Sequence, residues 1–225
     1  MGLYLIFFLV PLILGFWAQS RVQHAYNRWN RVGSRRGLTG AQAAREVMRS
    51  AGIDDVAIVE IPGTLTDHYD PSKKRLALSS ANYRGTSLAA IGVAAHEAGH
   101  AIQDKVSYPA LRLRMSLIPV TAVASNLIYV VIAVAFLAPA LFPKAAIAMV
   151  VIFLILTVFQ LVTLPVEFDA SRRAKAQLAG LGIIDRDELR GVDDTLSAAA
   201  FTYVAAFVSS LTTLLYWFMQ SQSRR

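Results

Sequence analysis

Four long stretches without a single charged residue constrain the fold of this 225-residue chain more than any other feature of its sequence. A helix needs about 20 mostly apolar residues to cross a bilayer, and each stretch supplies that length. The stretches are Met1–Ser20, Met115–Pro143, Ala145–Val166 and Thr195–Ser223. Apolar residues make up 55% of the chain and charged residues 16%, whereas soluble domains average about 45–50% and about 25%. The sequence therefore predicts a mainly α-helical integral membrane protein with about four transmembrane helices, and excludes a disordered or fibrous chain.

The basic residues predict how these helices are oriented. Of the 22 Lys and Arg residues, 14 lie in residues 19–114 and 5 lie in residues 167–197. Basic segments stay on the cytoplasmic side of the cell (inner) membrane, so both are expected there, with the two termini outside. The first stretch lacks the basic start and the cleavage site of a signal peptide, which favours an uncleaved anchor over residues 1–20. Orientation and contact with the lipid bilayer account for the net charge of +7, and we expect no nucleic-acid partner.

The segments between the apolar stretches predict a small α+β region. Residues 38–52 have a helical pattern, with Thr39 as a suitable N-cap and Gly52 suited to end the helix. Residues 56–61 and 75–79 favour β-strands, and the Asp-Pro-Ser-Lys sequence at 70–73 is typical of a turn. We therefore expect a short hairpin or meander in this part of the chain.

The sequence HEAGH at residues 96–100 indicates metal chemistry. It lies in an Ala-rich segment, residues 86–104, which is predicted to be helical. His96 and His100 are four residues apart, so both imidazoles project from one face and can reach one Zn²⁺ ion. Glu97 is then placed to hold a metal-bound water and act as general base in peptide hydrolysis. The alternative is a pair of partly buried histidines that only make hydrogen bonds.

A catalytic zinc ion needs a third protein ligand, and the sequence narrows the choice. The chain has no cysteine, and the extended HExxHxxGxxH pattern is broken at Gln103 and Val106. Two predicted membrane crossings separate His100 from Glu167, so both residues are expected on the same side of the membrane. Glu167 is therefore our candidate ligand, although a charged residue often simply ends a hydrophobic span.

Asp169 is the main rival of Glu167 for the metal. On a helix the two side chains point about 200° apart, so only one of them can face the ion. The metal-ligand prediction is therefore His96, His100 and Glu167, with one Zn²⁺ per chain and with Asp169 as a supporting residue.

Several short sequence motifs, and the order in which they occur, resemble those of the YugP-like bacterial membrane zinc metallopeptidases. They are PGTLTDHYDPSKKRLALS, HEAGH, LPVEFDASRRA and AAAFTYVAA. The arrangement is more distantly similar to HtpX-type and CAAX prenyl proteases, in which a Glu in the motif E-x-x-A-D-R completes the zinc site after two spans. The resemblance implies that Glu167 is the third ligand. The Asp of that motif is replaced by Ser171, and Asp169 and Asp104 are both candidates for orienting a histidine in its place.

Three further features are candidates for contact with substrate. His68 and Tyr203 are hydrogen-bond donors that could stabilise the transition state. The alternatives are a local bond beside a turn for His68 and a membrane-interface position for Tyr203. Residues 75–79 could pair as an exposed strand with an extended peptide, unless neighbouring strands cover both of its edges.

Together these features predict a membrane-embedded zinc metalloprotease that hydrolyses membrane or misfolded protein substrates. The expected segments are an anchor (1–20), a metallopeptidase segment (21–114), two transmembrane helices (115–166), a segment completing the site (167–197), and a fourth helix with a short tail (198–225). A catalytically silent zinc-stabilised scaffold is the alternative. A transporter is disfavoured because the predicted spans contain no Asp, Glu, Lys, Arg or His.

Overall fold

The computed structural model describes residues 2–222, with side chains from Ile6 onward. The helices and strands, in chain order, are α1 (Gly2–Trp29), α2 (Gly40–Ser50), β1 (Ala57–Ile61), β2 (His68–Asp70), β3 (Arg75–Ser79), α3 (Ser80–Arg84), α4 (Leu88–Lys105), α5 (Pro109–Leu137), α6 (Phe142–Gly180) and α7 (Leu189–Gln222). A single 3₁₀ turn at Pro139–Leu141 precedes α6.

Within these residues, four helices are long and apolar enough to cross a membrane, which confirms the predicted fold class. They are Ile6–Trp29 of α1, Pro109–Leu137, Pro139–Gly180 and Leu189–Gln222. The helices extend beyond the charge-free stretches. Helix α6 has 39 residues, roughly twice the number that a span requires. Its first half is apolar, and its second half continues as a helix that carries polar and charged residues. The predicted tail at residues 223–225 lies outside the described residues.

Contacts between residues divide the chain into two units. The spanning unit comprises Met1–Gln19, Arg112–Leu164 and Phe201–Arg225, and the site unit comprises Ser20–Leu111 and Pro165–Ala200. In the spanning unit a small apolar cluster forms around Ala124, Met149 and Ile152.

The site unit has a continuous apolar core to which α2, β3, α4, α6 and α7 all contribute. Its fully buried members include Leu76 and Leu78 of β3, Ile91 of α4, Leu178 of α6 and Val192 of α7. Burial of this apolar surface stabilises the site unit and holds α4 in its centre.

Helix α2 begins and ends where its sequence predicts. The Thr39 hydroxyl accepts a hydrogen bond from the Gln42 amide, while the Gln42 side chain accepts one from the Thr39 amide. This reciprocal capping box satisfies two backbone donors at the start of the helix. Gly52 follows the helix with φ +67°, a left-handed conformation that glycine adopts without steric cost.

The three strands form a sheet in the order β1-β3-β2. Strands β2 and β3 form a hairpin around the predicted turn at 70–73, although residues 68–70 were not predicted as a strand, and β1 joins β3 in parallel. Strand β3 is therefore central, and both of its edges are already paired. The prediction that residues 75–79 could receive an extended peptide is contradicted along most of the strand, because β1 pairs with all five residues of β3 and β2 pairs with Arg75, Leu76 and Ala77.

Candidate metal centre

Helix α4 presents the two histidines of the HEAGH sequence. The helix is capped by Ser87, whose Oγ accepts a hydrogen bond from the Ala90 amide at 3.1 Å. The rings of His96 and His100 lie edge to face, with centroids 4.8 Å apart. Eight residues of α4 are buried alanines or glycines, so neighbouring elements can approach the helix closely.

Helix α6 brings Glu167 to the two histidines. The Oε2 atom of Glu167 lies 3.2 Å from Nε2 of His96 and 3.6 Å from Nε2 of His100. The contact depends on Gly99, because a Cβ atom there would lie 2.6 Å from the carbonyl oxygen of Ala170. The missing side chain of Gly99 therefore lets the backbones of α4 and α6 approach closely enough for Glu167 to reach both rings.

Together the three residues form a candidate metal site. One donor atom from each of His96, His100 and Glu167 lies within 4.8 Å of the others. Two imidazole nitrogens and one carboxylate oxygen are ligands that Zn²⁺ prefers, at distances of about 2.0–2.2 Å. Glu167 is 2% exposed, so the site is shielded from water on its carboxylate side.

The second nitrogen of each ring is engaged by a neutral side chain. Nδ1 of His96 lies 3.1 Å from the Ser171 hydroxyl, and Nδ1 of His100 lies 3.0 Å from the Gln103 carbonyl oxygen. Hydrogen bonds of this kind fix the orientation of a metal-binding imidazole. Both Nε2 atoms are left to face the Glu167 carboxylate.

The donor set fits a cation. When the Nδ1 atom of His100 carries its proton, the lone pair of Nε2 faces a carboxylate oxygen, and this contact is repulsive unless a positive charge lies between them. A proton or a metal ion can supply that charge. Burial alone would lower the pKa of His100, but the hydrogen bond and the charge of Glu167 outweigh this effect and raise the pKa. The site therefore attracts positive charge.

Glu97 lies beside this donor set without belonging to it. Its side chain is on α4, one residue after His96, and the residue is 8% exposed. Among the described residues, no side chain or backbone group forms a hydrogen bond with its carboxylate. Its negative charge contributes to the raised pKa of His100. A buried carboxylate without a structural partner is suited to proton transfer.

The two aspartates proposed as histidine-orienting residues have different surroundings. Asp104 accepts a hydrogen bond from Tyr69 and pairs with Lys74. Asp169 pairs with Arg172 and Arg173, and it also accepts a hydrogen bond from Gln103 at 3.0 Å. Asp169 therefore reaches His100 through Gln103, whereas these contacts of Asp104 are with Tyr69 and Lys74.

The two candidate transition-state residues lie in different parts of the chain. His68 is exposed at the start of β2, and its Nδ1 lies 2.9 Å from the carbonyl oxygen of Thr66, which is the local contact considered above. Tyr203 lies on α7 in the spanning unit. A role for either residue in the reaction stays a prediction.

Gln103 and Ser171 are the site residues that sequence reasoning did not identify. Gln103 entered that reasoning only as a break in the extended histidine pattern, and Ser171 only as the replacement of an aspartate. The available signal was their spacing, because Gln103 lies three residues after His100 and Ser171 four after Glu167. Each position is about one helical turn from a proposed ligand.

Comparisons with known proteins show similarity over nearly the whole chain. Residues 4–222 match a family described as "Putative neutral zinc metallopeptidase". The chain is 41% identical, over 225 aligned positions, to a protein of Bacillus subtilis (strain 168) named "Putative membrane protease YugP". The alignment covers 96% of each chain. No solved structure shows significant similarity to the chain.

Proposed function

Because the chain belongs to this family of neutral zinc metallopeptidases, we propose that it hydrolyses peptide bonds in membrane or misfolded protein substrates. The observation that carries the proposal is the convergence of His96, His100 and Glu167 on α4 and α6, with an unpartnered Glu97 beside them. The first three residues would hold one Zn²⁺ ion per chain, and Glu97 would perform proton transfer.

The proposed roles of the metal ligands and of Glu97 follow from the chemistry of their side chains. His96, His100 and Glu167 would hold the zinc ion, whose Lewis acidity would polarise a peptide carbonyl and lower the pKa of water at the site. Glu97 accepts the proton that the attacking water loses, and then donates it to the nitrogen of the leaving amine. A C–O bond forms as the C–N bond breaks, the products are a carboxylate and an ammonium group, and Glu97 returns to its starting ionised state.

The comparison of wild type with Glu97→Gln tests this function. Glu97 is not a proposed ligand, so the variant should keep its zinc, while cleavage of an unfolded membrane substrate should fall by at least about 100-fold. Metal content and cleavage rate are measured on the same purified samples.

Each possible result separates one hypothesis from another. Normal cleavage by the variant would contradict the general-base assignment. Stoichiometric zinc without cleavage in the wild type would favour the catalytically silent scaffold instead.

We also propose that the site faces the cytoplasm of a bacterial cell. The support is the concentration of basic residues, with 14 in residues 19–114 and 5 in residues 167–197. A reporter inserted near Gly52 should be cytoplasmic, and one fused after Arg225 should be periplasmic or extracellular. Two reporters on the same side would contradict this orientation.

A further inference from the structure

The side chain of Gln103 occupies a fully buried position between His100 and α6. Its amide nitrogen donates to the carbonyl oxygen of Val166 at 2.8 Å and to Oδ2 of Asp169 at 3.0 Å. Its carbonyl oxygen lies 3.0 Å from Nδ1 of His100. The side chain thus uses both of its amide hydrogens and its oxygen within one network.

The partners of Gln103 allow only one orientation of its amide group. A backbone carbonyl and an ionised carboxylate both accept hydrogen bonds, so the NH₂ group must face Val166 and Asp169. The carbonyl oxygen of Gln103 must then face His100, and since that oxygen only accepts, Nδ1 of the ring must carry the proton. A neutral ring that is protonated at Nδ1 has its lone pair on Nε2, the atom that faces Glu167.

Asp169 keeps this network in place because it is itself held by two cations. Arg172 and Arg173 both pair with its carboxylate, and these pairs favour the ionised form that can only accept hydrogen bonds. An acceptor at this position prevents the Gln103 amide from turning around. Were it to turn, an NH₂ group would face Nδ1 of His100 and would favour the proton on Nε2.

We propose that Gln103, oriented by Asp169, is a positioning residue that holds His100 with its proton on Nδ1 and its Nε2 lone pair directed at the metal. The inference rests on the proposed ligand set of His96, His100 and Glu167. It assigns a lesser role to Ser171, because a hydroxyl can donate or accept and does not dictate which nitrogen of His96 carries the proton.

The chain offers a matched control for this role in Asn82. Both Gln103 and Asn82 are fully buried amides. Asn82 donates to Asp67 at 2.8 Å and accepts from the Tyr26 hydroxyl at 2.8 Å, but it contacts neither histidine in these bonds. Removing either amide should destabilise the fold, whereas only removal of the Gln103 amide should weaken zinc binding.

The first measurement compares the zinc affinity of Gln103→Met and Asn82→Leu by competition with a chromophoric chelator. Methionine has nearly the shape of glutamine without its hydrogen bonds. Gln103→Met should bind zinc about 10–100-fold more weakly than wild type, and Asn82→Leu should bind zinc as wild type does. An equal loss in both variants would mean that Gln103 acts only on stability, and would overturn the inference.

A second measurement uses variants that move the negative charge of the network from position 169 to position 103. In Gln103→Glu the new carboxylate still accepts from Nδ1 of His100, but it faces the like charge of Asp169 and cannot donate. Adding Asp169→Asn supplies an amide donor to that carboxylate, so the double variant should recover most of the zinc affinity lost in Gln103→Glu. Failure of the double variant to recover affinity, with both proteins folded, would contradict the proposed role of Asp169.

Wild type and His100→Ala separate this inference from the proposed function. Weak zinc binding by the wild type itself would contradict the metal site and with it the proposed function. Tight binding by wild type, loss in His100→Ala and unchanged binding in Gln103→Met would preserve the metal site and overturn only the role of Gln103.

Discussion

Polar side chains form different kinds of hydrogen bonds in the spanning unit and in the site unit. In the spanning unit, Thr121, Thr157 and Thr213 donate to carbonyl oxygens four residues earlier on their own helices. In the site unit, Gln103 reaches Val166, which lies 63 residues away in the chain. The first kind satisfies a hydroxyl locally, whereas the second kind requires two helices to be in register.

The two units also differ in where their acidic residues and their exposed apolar side chains lie. All 15 Asp and Glu residues fall in the segments of the site unit, 20–111 and 165–200. The spanning unit instead exposes large apolar side chains, such as Tyr129 at 76% and Phe136 at 82%. Spanning helices of this kind depend on lipid as their solvent, while the site unit depends on its own packing. The comparison predicts that equivalent substitutions will have unequal effects.

The largest difference is expected within one helix, between Glu167→Ala and Asp169→Ala. Glu167 faces both histidines, so its loss should reduce bound zinc to below about a tenth of stoichiometric, because two histidines alone hold zinc weakly. Asp169→Ala should leave most of the zinc in place, since Asp169 acts through Gln103. Metal analysis of the purified proteins measures both results. Stoichiometric zinc in Glu167→Ala, or loss of zinc in Asp169→Ala alone, would reverse the ligand assignment.

Glycine-to-alanine substitutions compare backbone packing in the two units. A Cβ atom at Gly99 would lie 2.6 Å from the Ala170 carbonyl oxygen, whereas one at Gly15 in α1 would meet nothing within 4 Å. Gly99→Ala should lower the free energy of unfolding by about 1–3 kcal/mol and weaken zinc binding, because α4 and α6 must separate. Gly15→Ala should change that free energy by less than about 1 kcal/mol.

Unfolding in detergent and zinc competition measure the two glycine variants. Equal effects at the two positions would show that the close approach of α4 and α6 is not needed for the site.

The smallest expected effect is on the stability of the folded state at acidic pH. The Ser72 hydroxyl and the backbone amides of Ser72 and Lys73 lower the pKa of Asp70 from 3.8 to about 2. The ionised carboxylate therefore stabilises the folded state above pH 3.8, and this contribution is lost as the pH falls toward 2. Asp70→Asn should make the unfolding midpoint less dependent on pH between 4 and 2, and Thr157→Val in the spanning unit should not. An unchanged pH dependence in Asp70→Asn would show that ionisation of Asp70 does not contribute to stability in this pH range.

Local patterns in the sequence were sufficient to predict much of this fold. The apolar stretches identified the spanning helices, and the Thr39 cap and Gly52 bounded α2 because these signals depend only on neighbouring residues. The spacing of His96 and His100 likewise predicted a shared helical face. Such features need no knowledge of which distant segments meet.

Contacts between distant segments could not be predicted in the same way. The central position of β3 depends on the parallel pairing of β1, which neither strand sequence indicates. The role inferred for Gln103 depends on Val166 and Asp169, more than 60 residues away. Helix geometry indicated that only one of Glu167 and Asp169 can face the metal, and the family resemblance favoured Glu167. Which of them faces α4 depends on how α6 packs against that helix, and no local pattern specifies this packing.

The placement of the proposed ligands along the chain also affects when the enzyme can become active during its synthesis. His96 and Glu167 are 71 residues apart, and α5 with the first half of α6 lies between them. A nascent chain that has not yet released residue 167 from the ribosome carries two of the three ligands. With the ligand set proposed above, the metal site can therefore be completed only after α5 and the first half of α6 have been synthesised.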